Sequence, residues 1–166
     1  GFMDQAQVFL AAGLICTLAF AGFVLLDTQT DGVPDWEVLD LCLADHAGAL
    51  QHYHATLDIH IDESPAVEIP ANTGIQDSVC PNGMRGIHTH NSDNNLHIET
   101  PNEMDAPLGA FFQIWGEKFD ETHILNRVAN DDKEIVMYVN GQQNFDYENY
   151  VIKDGDEISI HYQQRQ

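Results

Sequence analysis

The sequence predicts an α+β fold: an N-terminal transmembrane helix, then a domain of strands with one helix and an inserted histidine-rich hairpin. Three observations lead to this prediction. Residues 8–26 are uncharged and apolar, residues 52–62 and 86–99 alternate between polar and apolar side chains, and a helical apolar stripe spans residues 108–115. We divide the 166 residues into a transmembrane helix (1–27), a linker with a short helix (28–50) and the histidine-rich domain (51–163).

The apolar run at residues 8–26 is long enough for a helix to cross the roughly 30 Å hydrocarbon layer. A signal peptide is the alternative, but its apolar region is shorter and follows positive charge, whereas the first basic residue here is Arg85. The lack of Lys and Arg after the run favours an extracytoplasmic domain. We therefore expect a single-pass membrane protein with its domain at the cell surface. Small residues at Gly13, Thr17 and Ala21 would let this helix pack against other subunits.

The charge balance is strongly acidic. Twenty-seven Asp and Glu face six Lys and Arg, for a formal net charge of −21. Binding nucleic acid requires a basic surface, so nucleic acid is excluded as a partner.

The elements of the linker and the first part of the domain follow from local patterns. Residues 35–43 predict a short helix, with Trp36 either at a membrane surface or packed on the domain. Residues 52–62 predict a strand with one buried and one polar face. A turn at Glu63-Ser64-Pro65 would lead to a return strand at 66–70.

The second part of the domain begins with a helix. Asp105 is the predicted cap, Leu108, Phe111, Phe112 and Trp115 form its apolar stripe, and Gly116 ends it. A strand at 134–139 is closed by the turn Asn140-Gly141, and a final strand covers 157–162 after a short one at 150–152. With the hairpin set aside, this order resembles that of β-grasp domains, which implies that the first and last strands are neighbours.

The histidine-rich hairpin is the predicted functional centre. Strands at 86–90 and 96–99 flank the turn formers Asn91 to Asn95. If Asn91 pairs with Leu96, His90 faces His97 and His88 faces Glu99, which gathers three imidazoles and a carboxylate on one face. Imidazoles two positions apart on a strand point to the same side, which is the spacing of a metal chelate.

A second histidine group lies on the polar face of the 52–62 strand. His52 and His54 are predicted as a second ligand set or as part of the same site, and His161 would approach His60 if the last strand neighbours the first. His46 and His123 are predicted to lie on the surface. The alternative for both groups is that they are polar residues on solvated strand faces.

Cys80 has two interpretations. It can pair with Cys42 in a disulfide that ties the linker to the domain, or remain a free ligand beside Met84. A thiolate and a thioether together with imidazoles would favour copper, and zinc is the alternative metal.

An enzyme of the cupin class is the main competitor, because its first motif also contains two histidines two positions apart. The residues that should include a Glu are here Asp93, Asn94 and Asn95, and a second such motif is missing. We therefore predict no enzymatic activity.

Several short motifs together resemble a known but uncharacterised group of membrane-anchored extracytoplasmic domains, found notably in archaea. They are H-Y-H-A-T-L-D-I-H-I, E-I-P-A-N-T-G-I, C-P-N-G-M-R-G-I-H-T-H, N-L-H-I-E-T-P, L-G-A-F-F-Q-I-W-G, V-N-G and D-G-D-E-I, within residues 52–162. Relatives commonly have Asp after the second histidine of H-T-H, where this chain has Asn91. The resemblance implies fold boundaries and no activity.

The sequence thus predicts a membrane-anchored, extracytoplasmic metal-binding domain, copper before zinc. Its predicted ligands are His88, His90, His97, His52, His54, Glu99 and Cys80. The role would be metal binding or delivery, or stabilisation of a membrane assembly. The alternative is a structural subunit, either of a pilin-like surface filament or of a larger membrane complex.

Overall fold

The main sheet is mixed, and buried and exposed side chains alternate along its strands, which gives it one apolar and one polar face. The computed structural model describes residues 34–165. These residues contain three short 3-10 helices, at Glu37–Leu39, His46–Gly48 and Tyr147–Asn149, together with one α-helix and ten strands. The strands and helix are β1 (Cys42–Leu43), β2 (Gln51–Ile61), β3 (Met84–Arg85), β4 (Ile87–His88), β5 (Asn95–Thr100), α1 (Leu108–Trp115), β6 (His123–Ile124), β7 (Arg127–Val128), β8 (Lys133–Val139), β9 (Gln142–Asn144) and β10 (Glu157–Gln164).

Six of these strands form the main sheet, in the order β4-β5-β2-β10-β8-β9. The central pair, β2 and β10, is parallel, with Thr56 opposite Glu157 and His60 opposite His161. The other neighbours in this sheet are antiparallel. The predicted adjacency of the first long strand and the last strand is therefore confirmed.

The apolar core lies on one side of the sheet. Leu57 and Ile59 of β2 and Ile160 of β10 are fully buried, as is Phe111 of α1. These residues belong to one continuous hydrophobic cluster. Because successive strand residues point to opposite faces, the alternate positions of the same strands present polar side chains on the other face.

The helix α1 begins and ends close to where its sequence predicts. Gly116 closes it at a left-handed φ of 81°, and its N–H donates to the carbonyls of Phe112 and Gln113. At the start, Pro107 rather than Asp105 holds the cap position, and no side chain caps the helix. The N–H of Leu108 instead donates to the carbonyl of Tyr150, at 2.8 Å. The helix therefore depends on tertiary contacts at its N-terminus.

The predicted fold class is wrong. Residues 34–165 are mostly β-sheet with one short α-helix, in place of the predicted α+β domain. The description of a β-grasp-like domain with an inserted hairpin is corrected as well. β5 pairs along six residues with β2, so the hairpin extends the main sheet and is not a separate insertion.

The predicted localisation, a single-pass membrane protein with its domain at the cell surface, is also corrected. Within residues 34–165, none of the helices has the length and apolar character needed to cross a bilayer. The predicted span at residues 8–26 lies outside the described residues.

Two smaller predictions differ from the structure near the hairpin. Residues 66–70 form no strand. Their segment lies instead against Thr89, whose N–H donates to the Thr73 carbonyl at 3.0 Å and whose hydroxyl donates to the Pro70 carbonyl at 2.8 Å. Thr89 thus leaves the β4–β5 ladder, and His88 rather than His90 lies opposite His97. This shift of two residues keeps all the histidines on the predicted face.

The predicted linker helix at residues 35–43 is replaced by the 3-10 helix Glu37–Leu39 and the strand β1. Trp36 packs on α1: a Cβ added at Gly109 would lie 2.4 Å from its ring. A disulfide between Cys42 and Cys80 joins this segment to the domain, with 5.5 Å between the Cα atoms.

We predict that replacing both cysteines, Cys42→Ser with Cys80→Ser, lowers the free energy of unfolding by about 3–4 kcal/mol, the loop-closure value for a separation of this size. Urea unfolding of the oxidised wild type, the reduced wild type and the double variant measures this. Reduction should lower the free energy of unfolding of the wild type and leave that of the double variant unchanged. Equal stability of all three samples would contradict the prediction.

Candidate metal centre

The polar face of the sheet gathers histidines because three strands present them in register. His97 of β5 lies between His88 of β4 and His54 of β2. One row further along, His52 lies opposite Glu99. Since residues two apart on a strand share a face, both rows point to the same side. We call the resulting group the histidine cluster, which consists of His46, His52, His54, His88, His90, His97 and Glu99.

His88 is the most constrained member of the cluster. Its side chain is fully buried, and its Nδ1 lies 3.0 Å from the carbonyl oxygen of Arg85. A carbonyl only accepts, so Nδ1 carries the proton and Nε2 is left with its lone pair. That Nε2 lies 3.3 Å from Nε2 of His90 and 3.9 Å from Oε1 of Glu99. A hydrogen bond of this kind fixes the tautomer and the ring orientation of metal-binding histidines.

Glu99 is a fully buried carboxylate surrounded by imidazoles. Nδ1 of His46 donates to both of its oxygens, at 2.7 and 2.8 Å. Nε2 of His52 lies 3.3 Å from Oε1. Burying a carboxylate is costly unless donors or cations compensate its charge, so these contacts hold Glu99 inside the cluster.

His97 occupies the middle of the cluster. Its Nδ1 lies 3.2 Å from Nε2 of His54, and its ring stacks on that of His88 with 5.4 Å between centroids. The ring of His90 meets it edge-on at 4.6 Å. His97 therefore contacts histidines of both strands that flank β5.

Burial keeps two of these imidazoles neutral. Desolvation, opposed in part by the Arg85 carbonyl and the Glu99 charge, lowers the pKa of His88 to about 4. Desolvation together with the nearby His54 and His90 lowers the pKa of His97 to about 4 as well. Both rings therefore offer an unprotonated nitrogen near neutral pH, which is the form that binds metal.

The cluster could hold a metal ion in either of two ways. One ligand atom from each of His88, His90, His97 and Glu99 lies within 4.8 Å of the others. The same is true of His52, His54 and His97. We call these the inner set and the outer set. Imidazole nitrogens and a carboxylate oxygen are ligands of zinc, copper, iron and nickel.

The structure brings six of the seven predicted ligands together and separates one. Cys80 is fully buried in its disulfide with Cys42 and provides no thiolate, so it is removed from the ligand set. The sequence-based argument for copper, which depended on a free Cys80 sulfur, therefore no longer applies.

One member was missed by the sequence. His46 was predicted as a surface residue, and half of its side chain is indeed exposed, yet it contacts Glu99 directly. A signal for this was present, because His46 follows Cys42 closely and the disulfide carries this segment to the hairpin.

His60 lies on the same strand as His52 but outside the cluster. It stacks on His161 with 4.7 Å between ring centroids, as predicted from the strand order.

No family model, curated protein or solved structure matches this chain. The family resemblance drawn from its motifs stays a prediction. The functional interpretation therefore depends on the geometry of the cluster.

We predict that His88 and His97 of the metal-free protein remain neutral down to about pH 4. Because the pKa values of the folded state lie below the ordinary value of 6.5, the unfolded chain binds more protons between these pH values. This contribution to stability is complete above about pH 6.5 and is lost as the pH falls toward 4.

NMR titration of the histidine ring protons, with the chain in denaturant as the reference, measures these pKa values, and urea unfolding at several pH values measures the stability. Two buried imidazoles that titrate near 6.5 in the folded protein would contradict the prediction.

Proposed function

We propose that this domain binds a divalent transition metal, copper before zinc, and acts in metal binding or delivery rather than in turnover. The observation that carries the proposal is the inner set, in which three imidazoles and a carboxylate converge within 4.8 Å. The fixed Nδ1–H of His88 supports it, because it leaves Nε2 directed at the other inner ligands. Magnesium and calcium prefer sites made of oxygen atoms, which the inner set does not offer.

The preference for copper now rests on affinity and oxidation state. Sites of nitrogen and oxygen ligands bind Cu²⁺ more tightly than Zn²⁺. The disulfide between Cys42 and Cys80 persists under oxidising conditions, in which Cu²⁺ rather than Cu⁺ is the available form. Zinc remains the alternative, because four ligands of this kind also suit its tetrahedral geometry.

The other predicted role, a structural subunit of a filament or of a larger assembly, stays a prediction. The absence of turnover likewise stays a prediction.

Metal content provides the first test. The full chain, purified without chelator and then titrated with Cu²⁺ or Zn²⁺, should hold metal in stoichiometric amount by mass spectrometry. His88→Gln with His90→Gln removes two inner ligands and should abolish tight binding. The matched control is His60→Gln with His161→Gln, which removes two histidines from the same face outside the cluster. Metal-free wild type after titration, or equal binding by both double variants, would contradict the proposal.

The carboxylate provides a second test. We predict that Glu99→Gln, which removes the charge but keeps the shape, weakens Cu²⁺ binding by at least about 10–100-fold, because loss of a group that only supports the ligands of a metal site already has an effect of that size. Competition with a chelator of known affinity measures this. Glu103→Gln is the control, because Glu103 is exposed and its substitution changes the net charge equally. Equal losses in both variants would show that only long-range charge matters.

A further inference from the structure

The two ligand sets differ in their access to solvent. In the inner set, the side chains of His88 and Glu99 have no exposed surface, while His90 and His97 are half-buried. In the outer set, His52 has 45% of its side chain exposed and His54 is half-buried. An ion that arrives from solvent can therefore reach the outer ligands directly, whereas the innermost ligands lie beneath other side chains. A buried metal site requires such an entry path.

His97 belongs to both sets and lies between them. Its ring is 4.4 Å from the ring of His54 on one side and 4.6 Å from the ring of His90 on the other. These spacings are close to a contact distance between rings. An ion bound beside His54 therefore already has His97 as a ligand. The same residue is then a ligand of the inner position.

We propose that the outer set is a capture site, which takes a divalent metal ion from solvent and passes it to the inner set through His97. This inference rests on the proposed function. In the transfer the bonds from the ion to His52 and His54 break, while bonds to His88, His90 and Glu99 form and His97 remains a ligand. The oxidation state of the ion does not change. In this inference the two positions are alternatives for a single ion, so the chain holds one ion at equilibrium.

The Glu99 carboxylate gives the transfer its direction. The outer set consists of neutral ligands, whereas the inner set adds an anionic oxygen in a buried environment. Attraction between opposite charges is stronger there than at the exposed outer position. In the absence of metal, His46 donates its Nδ1–H to this carboxylate and Nε2 of His52 lies 3.3 Å from it, and the ion replaces these contacts on arrival.

Stopped-flow mixing of the full metal-free chain with Cu²⁺, followed by the ligand-field absorption of copper, tests the transfer. The wild type should show a fast phase whose rate depends on copper concentration, then a slower phase whose rate does not. His52→Gln with His54→Gln should lose the fast phase yet reach the wild-type final spectrum with one copper per chain. His88→Gln with His90→Gln should keep the fast phase and lose the slow one.

The control is again His60→Gln with His161→Gln, which should match the wild type in both phases. Far-UV circular dichroism checks that each variant is folded, and the single variant His52→Gln replaces the outer double variant if that one is not. Loading of the outer variant at the wild-type rate would overturn the inference, as would two copper ions per chain in the wild type at saturation. These results differ from failure of the proposed function, in which the wild type binds no copper at all.

Discussion

The histidine cluster depends on one constraint, the hydrogen-bond register of β5 between β4 and β2. His97 faces His88 on one side and His54 on the other, and Glu99 faces His52 one row away. A slip of one residue in either pairing would turn a strand's polar side chains toward the apolar core. Ile98 and Leu96 are fully buried on the opposite face of β5, so such a slip would also expose them. The same packing that stabilises the sheet therefore fixes the positions of the ligands.

Two local features hold the edge of this arrangement in place. Arg85 donates to the Leu39 carbonyl and lies 3.0 Å from Asp77, while its own carbonyl accepts from His88. The disulfide attaches the segment that carries His46, so a residue far from the hairpin in sequence contacts Glu99. Two of these contacts use backbone carbonyls and one is a disulfide bond, which makes the edge strand β4 more rigid than its two residues alone would be.

Much of the fold could be predicted from local sequence. The alternation in residues 52–62 predicts β2, the stripe from Leu108 to Trp115 predicts α1, and Asn140-Gly141 predicts the turn between β8 and β9, where both residues have positive φ. The two-residue period of strands was enough to predict that the hairpin histidines share one face of the sheet. These features share a cause, since each is determined by residues close together in the chain.

The features that sequence missed depend on contacts between distant residues. The hairpin register differs by two because Thr89 hydrogen-bonds to Pro70 and Thr73 instead of continuing the ladder. The segment at residues 66–70 returns to β2 through the hydrogen bond from Val67 to Ile59 without forming a strand. His46 joins the cluster through long-range contacts of its segment, namely the pairing of β1 with β3 and the disulfide between Cys42 and Cys80, for which sequence alone offered an equally open alternative. The apolar run at residues 8–26 shows only that this segment is hydrophobic. The membrane localisation predicted from it was not supported.

The parallel pairing of β2 with β10 has a consequence for how the protein is made. Thr56 and Glu157 are neighbours in the centre of the sheet, so β2 lacks its inner partner until the residues from Glu157 onward have been synthesised. β5 can pair with β2, and β4 with β5, more than fifty residues earlier. The ligands therefore meet on a half-built sheet whose other edge is open, and such long-range pairing is slow to form. During that interval a nascent chain exposes both its imidazoles and an unpaired strand edge, which is the state most prone to aggregation.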